Sequence, residues 1–190
     1  MKSSTATAAI VGERLRRERA AIFMTALLCA AAAFLQRFDE PFGQLAGALI
    51  FGTFAACGAA MLLRSRRQRD LAMYEIAAPV YGRELARAHA LFACAITSAG
   101  LIAYWIVLAA YGSFNAVSAA TTLACGFATA LSCMNARRAG MPVRVLITAL
   151  IIALCVMTFA LTARWPLVLA VCAAAAFVAL RQYGEVLARA

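Results

Sequence analysis

Asp, Glu, Lys, Arg and His are missing from the longest hydrophobic stretches of this sequence. Only 14% of its 190 residues are charged and 65% are hydrophobic, against about 25% and about 45–50% in an average soluble domain. Ion- and proton-coupled transporters place ionisable groups near the middle of the bilayer, where such groups are costly and functional. The absence of such groups argues against that class of transporter.

Sequence motifs of catalysis and metal binding are also missing. The chain has no H-E-x-x-H, no G-x-S-x-G and no aspartate cluster able to hold a divalent metal. Its single histidine, His89, stands where an apolar run begins, and we expect a surface or capping role for it rather than general-base catalysis. We therefore predict no enzyme activity in this chain, no cofactor and no metal site.

The cysteines fit the same picture. There are seven, none in a C-x-x-C pair, and each lies inside an apolar run, where a free cysteine behaves as a small hydrophobe. We interpret them as packing residues rather than disulfides or metal ligands. They are Cys29, Cys57, Cys94, Cys125, Cys133, Cys155 and Cys172.

Six uncharged apolar runs are present, and they occupy most of the chain. A helix that crosses a bilayer needs roughly 20 apolar residues, so we predict an all-α, polytopic membrane protein with six transmembrane helices in one domain, residues 1–190. The mean hydropathy of +0.85 agrees with this class. The runs are Ala20–Gln36, Gln44–Leu63, Ala90–Tyr111, Phe114–Met134, Val145–Ala163 and Trp165–Leu180.

Basic residues predict the orientation of these spans. Of the 18 Lys and Arg residues, only Arg37 and Arg164 fall on one side of the predicted helices, and the rest fall on the other. The positive-inside rule puts the crowded side in the cytoplasm, with both termini (N-in/C-in). We expect a multi-pass protein of the bacterial inner membrane. The basic side chains that give the chain its net charge of +10 then contact anionic lipid. No nucleic-acid partner is needed to explain that charge.

The first run could also be read as a cleaved signal peptide, since arginines precede it. The preceding 1–19 segment carries Glu13 and Glu18, which is unusual for a signal, and Leu28 precedes Cys29 where a lipoprotein signal has a small residue. Cleavage would also leave the next loop's orientation unexplained. We favour a retained first helix.

The connections are unequal in length. The link Arg64–His89 is long, and Leu71, Tyr74 and Ala78 share a helical face before Pro79. We predict a short cytoplasmic surface helix there, a second one around Glu13–Arg19, and a cytoplasmic tail over 181–190. The alternative for both surface helices is a solvated basic flank of the neighbouring spans.

Small residues at four-residue spacing predict a helix-packing face on the second and fourth runs. Such residues let helix backbones approach closely, either within one bundle or against a second subunit. The face comprises Gly43, Gly47, Gly52, Ala56, Ser118, Thr122 and Gly126.

The long link resembles the coupling loop in permease subunits of type-2 ABC exporters. In that family a surface helix with an acidic residue is followed by a proline and a turn into the third span, and Glu75 is similar to the family's glutamate. The family's run begins at this proline, and its counterparts in this chain are Pro79, Val80, Glu84, Leu85, Ala88 and His89.

The resemblance implies a permease of two membrane subunits, homodimeric or heterodimeric, driven by a separate cytoplasmic ATPase. It implies that the ATPase docks on the 64–89 loop, with Glu75, Pro79, Arg83 and Glu84 as docking residues. An alternative from another class is a non-transporting membrane scaffold or assembly partner.

Overall fold

The computed structural model describes residues 3–63, 82–135, 153 and 165–188, and all regular structure in these ranges is α-helical. Four helices are long and apolar enough to cross a membrane, within Gly43–Leu62, Glu84–Ala110, Ala116–Met134 and Pro166–Glu185. The predicted all-helical, membrane-compatible fold is confirmed at this level. The helices are α1 (Ser3–Arg17), α2 (Arg19–Leu35), α3 (Pro41–Leu62), α4 (Gly82–Ala110), α5 (Ala116–Asn135) and α6 (Trp165–Ala188).

Helix α1 is separate from α2, and the break at Glu18 falls inside the Glu13–Arg19 stretch that the sequence predicts as one surface helix. The two meet at Glu18 with a bend of 70°, and as a bent pair they provide a further candidate span. The predicted fifth span, Val145–Ala163, lies outside the described residues apart from residue 153, as does the predicted surface helix that ends at Ala78.

Local sequence explains several helix ends. Pro41 opens α3 at a position where its missing N–H costs nothing. The side chain of Asn115 caps α5, because its Oδ1 accepts hydrogen bonds from the backbone N–H groups of Val117 (3.0 Å) and Ser118 (3.2 Å). Gly112 ends α4 with a φ of 74°. The next N–H, of Ser113, then reaches back to the carbonyl of Leu108 at 3.0 Å.

Two helices are longer than the apolar runs predict. Helix α4 begins at Gly82 rather than at Ala90, so the predicted loop Arg64–His89 ends in helix, and α6 continues through the predicted tail to Ala188. Hydropathy marks only the apolar part of a helix, whereas the backbone hydrogen bonding of the helix continues beyond it. The 29 residues of α4 span about 43 Å, against a hydrocarbon thickness of about 30 Å.

Core contacts define two ends of the bundle. One cluster joins the end of α3 (Ala60), the start of α4 (Ala90), the end of α5 (Met134) and the end of α6 (Tyr183). We call this the basic end, because the arginines of α1 lie beside it. A second cluster at the opposite end joins the end of α2 with the start of α3, the end of α4 and the start of α5. Helices α2 and α4 therefore run away from the basic end, and α3, α5 and α6 run towards it.

Glycines bring α3, α4 and α5 together midway between these ends. A Cβ on Gly52 of α3 would lie 2.8 Å from Leu101 Cδ2, and one on Gly126 of α5 would lie 2.9 Å from Thr97 Cγ2. Only glycine permits this approach at both places. Both residues belong to the predicted packing face, and here they pack within one chain.

Candidate functional site

A buried arginine marks the basic end. The side chain of Arg14 on α1 is 1% exposed, whereas Glu13, Arg16 and Arg17 form ion pairs on the outer side of the same helix. Leu15 packs against the basic-end core. Arginine is almost never fully buried unless it is paired, so the partners of Arg14 define a candidate site.

The side chain of Arg14 contacts His89 on α4. Arg14 Nη2 lies 3.1 Å from His89 Nε2, and His89 Nδ1 lies 2.8 Å from the hydroxyl of Tyr183 on α6. A guanidinium can only donate, so Nε2 must be the acceptor and the ring proton must reside on Nδ1. His89 is then a neutral imidazole that accepts from Arg14 and donates to Tyr183.

Glu18 completes the set. It lies one helical turn beyond Arg14, at the bend between α1 and α2, and it is also buried. Its backbone N–H donates to the carbonyl of Arg14 at 3.2 Å, and it adds a buried formal negative charge one turn from the buried arginine. We refer to Arg14, Glu18, His89 and Tyr183 as the Arg14 cluster.

The Arg14 cluster joins three helices. It ties α1 to the first turns of α4, and through His89 it ties both to the last turns of α6. Both ring nitrogens of His89 are occupied by these contacts, an arrangement suited to holding helices in place and not to accepting a substrate proton. A displacement of α1 must therefore either move the start of α4 and the end of α6 with it or break the buried hydrogen bonds of His89.

The expected surface role of His89 is wrong, since its side chain is 5% exposed. The reason is that α4 starts seven residues before His89 and α1 packs over that extra length. Sequence reasoning also missed Arg14 and Tyr183 as partners. They lie 75 and 94 residues from His89, and no local pattern marks such distant contacts.

The predicted docking residues lie either at the start of the helix that carries His89 or outside the described residues. Glu75 and Pro79 are outside them. Arg83 and Glu84 belong to the first turn of α4, and the side chain of Glu84 is half-buried. An acidic side chain there is favoured by the positive end of the helix dipole.

The predicted packing residues do not share one environment. Gly52, Ala56, Thr122 and Gly126 are buried between helices, and Trp105 Nε1 donates to Thr122 Oγ1 at 3.1 Å. A Cβ on the other two glycines would instead meet side chains of the chain segment before α3, Asp39 at Gly43 and Gln36 at Gly47. Ser118 is half-buried, and its carbonyl accepts from Thr122.

The opposite end carries aromatic residues around the one basic side chain described there. Arg37 lies 3.9 Å from the ring centroid of Phe34 and 4.2 Å from that of Phe38, distances typical of cation–π contacts. Nearby, the hydroxyl of Tyr104 contacts Gln36 Oε1 at 2.6 Å and the carbonyl of Gln44 at 3.0 Å. These contacts join α2, α3 and α4 at that end.

Within the part of the chain that the structure describes, no group of three or more His, Cys, Asp or Glu residues is placed to hold a metal ion. The chain matches no known protein family, no curated protein and no solved structure.

Proposed function

We propose that this chain is the membrane-spanning subunit of an ATP-driven export system of the type-2 ABC kind, working with a separate cytoplasmic ATPase. The basic end faces the cytoplasm in this proposal. The observation that supports it best is the Arg14 cluster, which links the N-terminal helix and the entry of α4 to α6. The segment just before α4 is the loop that resembles the family's ATPase-docking loop.

The cluster supplies the mechanical step that such a system needs. A partner can shift a conformational equilibrium only if it binds the two states with different affinity. An ATPase that binds the 64–89 loop and α1 would contact helices that the Arg14 cluster joins by buried hydrogen bonds. A movement of the ATPase is therefore transmitted to α4 and α6, which move as rigid bodies. The energy source lies in the partner, in keeping with the uncharged apolar runs.

In this proposal the export path lies between two copies of the chain. Within one copy, three buried hydroxyls in the apolar part of the bundle bond to carbonyls of their own helix, one turn away: Thr97 to Ala93, Thr121 to Val117 and Thr122 to Ser118. Because each hydroxyl donates within its own helix, none of these three donors is available to a passing substrate. A homodimer would provide the path at the interface of two bundles.

The same observation favours a second candidate, a non-transporting membrane scaffold or assembly partner. A scaffold needs the packed bundle and the basic end but no path and no ATPase. The two candidates differ in whether ATP hydrolysis accompanies the chain in its membrane.

The test is to purify the tagged chain from its native membrane in mild detergent and to measure vanadate-sensitive ATP hydrolysis that elutes with it. We expect such activity with the wild-type chain, together with a Walker-motif subunit identified by mass spectrometry. Reversing a charge at a docking contact weakens binding by more than about tenfold. The variant Glu75→Arg should therefore lose about nine-tenths or more of the activity.

The matched control is Glu40→Arg, which reverses an exposed acidic residue before α3 at the opposite end. It should leave the co-eluting activity unchanged. The exporter proposal is abandoned if the wild-type chain carries no ATPase, and the scaffold is then favoured. Equal losses in the two variants would reject Glu75 as a docking contact.

A further inference from the structure

A groove lies between the first turns of α4 and the last turns of α6, on the outside of the basic end. Its volume is about 390 Å³, and its walls include Ala86 and Arg87 from α4 and Phe177, Leu180, Arg181 and Gly184 from α6, with Glu185 at its edge. A Cβ on Gly184 would lie 3.9 Å from the Cβ of Ala86. An added Cβ there would make only ordinary van der Waals contact, so the two helices already pack against each other beside the groove.

The walls change from apolar to charged at one level. On α6 the apolar run ends at Leu180 and Arg181 follows at once, and on α4 Arg87 stands just before the run that starts at Ala90. In a membrane-spanning helix this change marks the boundary between hydrocarbon and headgroups. The two boundaries meet in the same groove. Its part beside Phe177 and Leu180, which we call the deep part, faces acyl chains, and its part beside Arg87 and Arg181, which we call the mouth, faces headgroups.

The mouth is suited to an anion. Arg181 Nε contacts Glu185 Oε1 at 3.2 Å, one helical turn further along α6. Both side chains are exposed, and an exposed ion pair is weak, so a phosphate can compete with Glu185 for Arg181. Arg87 is exposed and has no hydrogen-bond or ion-pair partner within the part of the chain that the structure describes. Two arginines against one carboxylate leave a net positive charge for a phosphate, to which guanidinium groups bind well.

The deep part is suited to an acyl chain. The ring of Phe177 is 68% exposed on this wall, and it lies one helical turn, about 6 Å, from Arg181. A single phospholipid can therefore place its phosphate at the arginines and its upper acyl chain on Phe177 and Leu180.

We propose that this groove binds an anionic phospholipid with a glycerol headgroup. The phosphate lies between Arg87 and Arg181, and Glu185 accepts a hydrogen bond from a headgroup hydroxyl. Basic pockets between helices at the cytoplasmic side of a membrane recognise anionic headgroups in this way. The proposal requires that the chain spans a bilayer, and it does not depend on the exporter function or on an ATPase.

Native mass spectrometry of the detergent-solubilised chain tests the headgroup contacts by titration with phosphatidylglycerol or phosphatidylcholine. We expect phosphatidylglycerol to bind at least about fivefold more tightly. Arg87→Gln and Arg181→Gln should each weaken its binding by about fivefold and leave phosphatidylcholine unchanged. The control Arg16→Gln removes the same charge from the same end but outside the groove, and it should change binding by less than about twofold.

The acyl wall has its own matched pair. Phe177→Ala should weaken phosphatidylglycerol binding by about threefold, whereas Phe54→Ala, at a similarly exposed phenylalanine of α3, should have no effect. Far-UV circular dichroism and thermal unfolding confirm that each variant is folded before it is compared.

Three results would overturn the proposal. Equal affinity for the two lipids would mean that the groove is filled by any acyl chain. An equal loss in Arg16→Gln and Arg87→Gln would mean that net charge alone attracts the lipid. Displacement of the lipid by inorganic phosphate, with no effect of Phe177→Ala, would mean a simple anion site.

Discussion

Removal of one hydroxyl group, in Tyr183→Phe, is a direct test of the Arg14 cluster. Phenylalanine keeps the buried ring and its tilted contact with His89, whose centroid lies 6.0 Å away. What it loses is the oxygen that accepts the Nδ1–H of His89 at 2.8 Å. His89 is buried, and Arg14 holds its other nitrogen, so the ring cannot turn over to find another acceptor without breaking that contact.

The expected cost follows from the group left behind. A buried donor deprived of its partner destabilises a protein by about 1–3 kcal/mol, and the change leaves no large cavity to add to this. We therefore expect Tyr183→Phe to lower the free energy of unfolding by about 1–3 kcal/mol. The control is Tyr111→Phe, at an exposed tyrosine of the opposite end, with an expected change within about 0.5 kcal/mol.

A double-mutant cycle assigns this cost to the histidine. In a His89→Leu background no Nδ1–H remains, so Tyr183→Phe should cost less there, with a coupling energy of about 0.5–3 kcal/mol. Both sets of variants are unfolded by titration with sodium dodecyl sulphate in mixed micelles and followed by far-UV circular dichroism. The same cost with and without the histidine would refute the contact, and so would a neutral Tyr183→Phe.

Two further predictions concern the packing of α3 and α5. The thiols of Cys57 and Cys133 lie 3.6 Å apart, so oxidation by copper(II)-phenanthroline should join them in a disulfide. The two thiols lose two protons and give two electrons to the oxidant, so the mass of the chain should fall by about 2 Da. A disulfide product that persists after Cys57→Ser would contradict the pairing. The hydroxyl of Thr129 is buried without a hydrogen-bond partner among the residues that the structure describes, so Thr129→Val should raise the free energy of unfolding by about 1 kcal/mol. Thr122→Val, which leaves the indole N–H of Trp105 without its acceptor, should lower the same quantity by about 1–3 kcal/mol; equal effects of the two valines would reject this assignment.

Sequence reasoning located the helices where hydropathy decides their position. The predicted run Gln44–Leu63 and the observed α3, Pro41–Leu62, differ by a few residues at one end and by one at the other, because the transfer of apolar side chains from water fixes this helix. The prediction failed for α4 and α6, which continue past their apolar runs as amphipathic helices. There the packing of α1 against α4 and of α6 against α4 stabilises turns that hydropathy alone assigns to loops.

The candidate site could not be predicted from the sequence for a different reason. Arg14 belongs to a group of arginines at positions 14, 16, 17 and 19, and nothing local distinguishes the one that points inward. Its contact with His89 depends on the packing of α1 against α4, which lies 75 residues further along the chain. The small residues were easier to find, because a four-residue period is local and visible in the sequence. Glu75 and Pro79 stay predictions, since they lie outside the described residues.

The turn at Gly112 also has a consequence for how the chain is made. Helices α4 and α5 are separated only by the short segment Tyr111–Asn115. In the proposed transmembrane arrangement this segment is too short to let one helix settle in the bilayer while the other remains in water. Since each helix brings an apolar run that is unfavourable outside lipid, the two would then enter the bilayer together, as one hairpin closed at Gly112.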